Sequence, residues 1–84
     1  MGIHSHTFVE EYAGLVGFGL DRQTDENTVI YYLQKFSDDA LIKHLIPKLP
    51  NRALEDIFNL INRMLKENLS ESEYHRFFLK DGIE

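Results

Sequence analysis

Asn51-Arg52-Ala53-Leu54-Glu55-Asp56-Ile57-Phe58-Asn59-Leu60-Ile61-Asn62-Arg63-Met64-Leu65-Lys66-Glu67-Asn68 decides the fold of this chain. Leu54, Ile57, Phe58, Ile61, Met64 and Leu65, then Leu69, recur at three- and four-residue spacing, which gathers them into one broad stripe of an α-helix. Leu60 extends the edge of that stripe. Arg52, Asp56, Asn59, Arg63 and Lys66 fall on the opposite side. The pattern predicts a half-buried helix over about 51–68. It is expected to serve as the spine of an all-α domain, a compact bundle of four to five short helices.

Just beyond this helix stands Leu69-Ser70-Glu71-Ser72-Glu73-Tyr74-His75-Arg76-Phe77-Phe78. The Ser70 hydroxyl can accept the backbone N–H of Glu73, and the Glu73 carboxylate can reach back to the N–H of Ser70. That is a capping box, with Leu69 and Tyr74 placed as a hydrophobic staple. A short aromatic helix is therefore expected over Ser70–Leu79. Residues 81–84 and 1–5 read as fraying ends of a single domain spanning 1–84.

Working back towards the N-terminus, Pro47 and Pro50 each disfavour helix at the preceding residue, so a compact turn is expected from Pro47 to Asn51. Ser37 is read as the cap of a third helix over Asp38–Ile46, with Leu41, Ile42, Leu45 and Ile46 on one side. A second helix is expected over Asp25–Phe36, capped by Thr24 or Asp25. Val29, Tyr32, Leu33 and Phe36 make its apolar face, and Ile30 and Tyr31 fall outside it. A first helix is expected over His6–Gly17, capped by Thr7 with Glu10 as its partner and carrying Phe8, Val9, Tyr12, Leu15 and Val16 on one face. Gly17-Phe18-Gly19 ends it. Strand signals are weak throughout.

The chain has 84 residues, no cysteine and a formal net charge of −5. A domain of this size buries about 64% of the surface its unfolded chain exposes, so self-association would add useful stability. The absence of cysteine excludes disulfides, zinc–thiolate sites and cysteine nucleophiles, and favours a reducing, cytoplasmic setting. No apolar run approaches the ~20 residues a membrane-spanning helix needs, and no secretory signal pattern is present. The charge is uneven. Arg22 and Lys35 face seven carboxylates in residues 1–42, whereas residues 43–80 carry seven basic and five acidic side chains. This acidic balance argues against nucleic-acid backbone binding as the main role.

Catalytic motifs are wanting. Ser5, Ser37, Ser70 and Ser72 lie in no nucleophile elbow, and Gly14, Gly17 and Gly19 match no phosphate-binding loop. Metal chemistry has two candidates. Glu71 and His75 stand four apart and would share a helix face. If Met1 is removed, Gly2-Ile3-His4 presents an amine, two backbone nitrogens and an imidazole, a square-planar set suited to Cu(II) or Ni(II), with His6 nearby. His44 reads as a boundary residue of the third helix. A helix-turn-helix arrangement of the third and fourth helices would offer Arg52, Asn59, Arg63 and Lys66 to DNA, but Asp56 interrupts that face and Glu55 borders it.

Partner binding fits the residues best. Ten aromatic side chains, four Tyr and six Phe, exceed what a core of this size requires. Ile30 and Tyr31 on the second helix and Phe77 and Phe78 on the fifth are candidates for an apolar contact with a protein partner or a second copy of the chain, as in a homodimer. The expectation is a non-catalytic interaction or regulatory module that needs no cofactor. A small metal-binding protein and a nucleic-acid-binding regulator are the alternatives.

Overall fold

The computed structural model describes residues 6–81. All regular structure among them is helical: α1 (Phe8–Glu11), α2 (Arg22–Phe36), α3 (Asp39–Leu45), α4 (Asn51–Asn68) and α5 (Glu71–Glu73). A 3₁₀ turn, Ile46–Lys48, closes α3, and a π-helical segment, Tyr74–Leu79, continues α5. The chain is an all-α helical protein, as its periodicity predicts. The described residues gather into two compact units, 6–48 and 49–81.

In the N-terminal unit, α1 and α2 pack together and are joined by an irregular loop. The first helix is a single turn, far shorter than the expected His6–Gly17. Tyr12 leaves the helix with ψ 120°, and its hydroxyl donates to the Leu15 carbonyl at 2.8 Å. Its ring stacks on Phe8 at 5.0 Å. It also lies against Gly14, where a Cβ would come 2.5 Å from the tyrosine oxygen. Glycine at 14 therefore lets the tyrosine fold across the chain, and that fold ends the helix. Thr7 makes no side-chain cap. Gln34 of α2 does the work instead, accepting the Val9 N–H through its side-chain oxygen at 2.9 Å.

The second helix begins three residues before the predicted start. Asp21, not Thr24 or Asp25, is its cap: one carboxylate oxygen accepts the Thr24 N–H at 2.8 Å and the other accepts the Thr24 hydroxyl at 3.1 Å. Asp25 is thereby released for another task and accepts the Gly19 N–H at 2.8 Å. Gly19 has φ 93°, a left-handed conformation that favours glycine. Ser37 likewise loses the cap of α3 to Asp38, whose carboxylate accepts the N–H groups of Ala40 and Leu41 at 3.1 and 3.4 Å.

In the C-terminal unit, α4 runs over the predicted residues and lacks a side-chain cap at Pro50. Asn62 and Asn68 donate to the carbonyls four residues earlier, of Phe58 and Met64, both at 2.8 Å. The capping box at Ser70 forms as the sequence requires: Ser70 N–H donates to Glu73 Oε1 at 2.8 Å and Glu73 N–H donates to Ser70 Oγ at 3.1 Å. After this one α-turn the backbone widens into the π-helical segment, which the aromatic run did not announce. Tyr74 stacks on Phe78 there at 5.3 Å between ring centroids.

Candidate functional site

The residue that faces inward on α2 is Thr28. It is 5% exposed, and no hydrophobic side chain among the described residues is buried as deeply. Its hydroxyl accepts the Gly17 N–H at 3.0 Å and donates to the Gly17 carbonyl at 3.0 Å. One side chain thus satisfies both backbone groups of one loop residue. Tyr31, half-buried on the same side of α2, meets Tyr12 in a tilted arrangement at 6.0 Å. Lys35 lies 5.3 Å from the centre of the Tyr31 ring. The side of α2 packed on α1 and its loop is therefore a threonine–tyrosine–glutamine side: Thr28, Tyr31 and Gln34.

The consequence falls on the other side of the helix. Val29, Tyr32 and Leu33, three of the four residues expected to face the core, are 43%, 64% and 57% exposed. Phe36 is the half-buried member of that set. Ile30 is exposed as well, beside Phe18, which is more exposed still. Phe18, Val29 and Ile30 line one wall of a shallow groove of about 560 Å³, rimmed by Arg22, Asp25 and Glu26. The predicted partner pair is thus divided. Ile30 faces solvent, while Tyr31 spends part of its ring on Tyr12 and Lys35.

Helix α4 repeats the theme in the C-terminal unit. Leu54, Phe58, Leu60, Ile61 and Met64 are all exposed, Phe58 the most at 68%. Ile57, Leu65 and Leu69 are half-buried. Arg52, Asn59, Arg63 and Lys66, the polar residues weighed for DNA, are exposed on the same helix. Arg52 is engaged by Asp56 at 3.7 Å, an exposed pair one turn apart. Phe77 and Phe78 are exposed too, and the Arg76 guanidinium lies 4.6 Å from the centre of the Phe77 ring.

His75 and His6 have polar partners other than the predicted ones. His75 Nδ1 is 2.6 Å from Asp81 Oδ2, with both side chains about one-third exposed. Glu71 makes no hydrogen bond or ion pair with His75 among the described residues. Asp81, assigned to the fraying tail by composition, also donates its N–H to the His75 carbonyl at 3.4 Å. This closure requires Lys80 in the left-handed conformation, φ 51°. It resembles a Schellman ending widened by one residue, as a π-helical segment demands. Residues 82–84 lie outside the described residues. His6 Nε2 is 2.7 Å from the Ser37 hydroxyl. Both line a cleft of about 690 Å³ with Glu10, Tyr31, Asp38 and Asp39. His4, with the rest of the N-terminal nitrogen set, lies outside the described residues. Among the described residues no three His, Asp or Glu side chains converge as a metal site would require. No helix among them is long and apolar enough to cross a membrane.

Two carboxyls are held below their ordinary pKa. The Thr24 backbone N–H, then its hydroxyl, stabilises the charged form of Asp21. The Ser70 backbone N–H, then its hydroxyl, does the same for Glu73, with help from the positive charge of Arg76. Both shifts arise from capping and mark helix starts.

No known protein family matches the sequence, and comparison with curated proteins and with solved structures finds no significant similarity.

Proposed function

We propose that the chain is a protein-interaction module without catalysis of its own, acting in the cytoplasm. The observation that supports this is the exposure of the aliphatic stripe of α4 together with that of Val29, Ile30, Tyr32 and Leu33 on α2. Scattered exposed apolar residues are ordinary. Two helix faces, each exposing four or more large apolar side chains, are not, and such patches mark contact surfaces. The polar groups of the N-terminal unit favour the same reading. Thr28, Asp21, Asp25 and Gln34 are committed to backbone N–H or carbonyl groups, which shapes a scaffold. The lack of cysteine supports a reducing compartment.

The experiment compares the chain in extract of its native cell with the purified protein, by chromatographic size and immunodetection. The chain should migrate well above its 9.9 kDa monomer mass. Phe58→Glu, an exposed position that can accept charge without loss of fold, should return it towards monomer size. Migration as a bare monomer in extract, unchanged by Phe58→Glu or Leu33→Glu, would refute the module.

A further inference from the structure

From the loop that joins α1 to α2 we infer a docking site for a basic amphipathic helix of another protein, seated across Phe18 on the exposed side of α2. This rests on the interaction-module reading and names its surface and the chemistry of its partner. The loop is unusual in composition. No charged residue occurs from Tyr12 to Leu20. Leu15, Val16, Phe18 and Leu20 are all exposed, and Phe18 at 74% is the most exposed large apolar side chain among the described residues. The backbone polar groups of the loop are taken up by the fold instead. The Leu15 carbonyl accepts the Tyr12 hydroxyl at 2.8 Å, Gly17 exchanges two bonds with the Thr28 hydroxyl, and the Gly19 N–H donates to Asp25. These four bonds fix the loop before a partner arrives, so little ordering entropy is left to lose on binding. They also keep the bonded groups satisfied when a partner excludes water.

Two shallow hollows share Phe18 and Val29 as lining. One, of about 450 Å³, adds Tyr32 and Leu33. The other, of about 560 Å³, adds Ile30. Apolar side chains one turn apart on a helix stand about 5–6 Å from each other, so a docked helix can fill both hollows and clasp the Phe18 ring between them. Charge selects the partner. Arg22, Asp25 and Glu26 rim the second hollow, and Asp21 precedes them. Arg22 is spent on Glu26 at 2.7 Å, which leaves the rim acidic. Residues 6–48 as a whole carry seven acidic and four basic side chains. Lys or Arg on the flank of the docked helix meets these carboxylates. A second copy presenting the same face would set acid against acid, and the anionic inner leaflet of a membrane would be repelled too.

The test titrates the full-length, isotope-labelled protein with defined probes and follows its backbone amides by NMR. Two synthetic amphipathic peptides of about four turns share their leucine positions, one with Lys and one with Glu at the polar positions. Vesicles of phosphatidylcholine, alone or with phosphatidylserine, are the lipid probes. The Leu/Lys peptide should shift the amides of Gly17, Gly19, Val29 and Ile30 and bind about tenfold tighter than the Leu/Glu peptide. Phe18→Ser, at an exposed position, should weaken it about tenfold. Glu26→Lys, which leaves the bonds of Thr28 and Asp25 in place, should erase most of the preference for the basic peptide. Equal binding of the two peptides, shifts confined to α4, or indifference to both variants would each overturn the site. So would binding to vesicles in place of the peptide, or no peptide binding up to about 1 mM. The interaction-module reading outlives such a result if the chain in native extract migrates above its monomer mass, and falls with it if the chain there is a monomer.

Discussion

Replacing Thr28 by Val removes one oxygen from the most deeply buried described residue and almost nothing else. The hydroxyl makes two hydrogen bonds with Gly17, each 3.0 Å long. A typical hydrogen bond contributes about 0.5–1.5 kcal/mol net, and leaving a buried partner unpaired costs more. Gly17 is half-buried, so water recovers part of the loss. The expected destabilisation of the loop is about 1–2 kcal/mol, a fall of about 5- to 30-fold in hydrogen-exchange protection at the Gly17 amide. Thr28→Ser separates this effect from packing: it loses the methyl group and keeps the hydroxyl. Native-state hydrogen exchange at Gly17 and Gly19 is the assay. Gly17 should lose protection in Thr28→Val and keep most of it in Thr28→Ser. Equal protection in wild type and Thr28→Val, or equal losses in both variants, would refute the claim that this hydroxyl pins the loop to α2.

Further outcomes follow from the same structure. Gly14→Ala should displace Tyr12, because the new methyl would sit 2.5 Å from its oxygen; loss of the ring contact with Phe8, read as lost nuclear Overhauser effects, checks this. Ser70→Ala removes the hydroxyl half of the capping box and should cost about 1 kcal/mol of local stability, measured by exchange at Glu73. Asp81→Asn weakens the 2.6 Å contact with His75 and should release about 0.2–1 kcal/mol of order at the chain's end, seen as faster exchange at Lys80 and Asp81. Asp21 and Glu73 have folded-state pKa values below those of the unfolded chain. Their caps therefore stabilise the fold above the ordinary carboxylate range and are lost as pH falls through the lowered values. An acid titration followed by NMR should show the first turns of α2 and α5 fraying in that window, with both carboxyls titrating below the ordinary range.

What the sequence made legible was whatever is written locally and repeatedly. The stripe of α4 recurs over five turns, so its limits at Asn51 and Asn68 could be read directly. The Ser70–Glu73 box is a four-residue signal and formed as read. Signals with competitors failed. Asp21, Thr24 and Asp25 are all competent caps; Asp21 takes the role, and Asp25 bonds the Gly19 N–H. Ser37 and Asp38 competed in the same way. The first helix failed for a reason outside any periodicity, the folding of Tyr12 across Gly14. The packed side of α2 was misjudged because apolar residues were counted as inward, whereas Thr28 and Gln34 earn their places by bonding the Gly17 and Val9 backbones. The site followed suit. Phe77, Phe78 and Ile30 are exposed, whereas the engagement of Tyr31 by Tyr12 could not be read from α2 alone. His75 and Asp81 are six apart, a spacing that no α-helical face brings together; only the widened backbone of Tyr74–Leu79 and the left-handed Lys80 do so.

The central claim is that the exposed apolar stripe of α4 is a contact surface. The size of the chain in extract of its native cell, set beside that of the purified protein, tests it most directly, with Ile61→Lys as the companion variant. Migration well above the 9.9 kDa single-chain mass, returning towards it in Ile61→Lys with helical circular dichroism retained, is the result predicted. Migration as a single chain in extract, unchanged by Ile61→Lys, would contradict it.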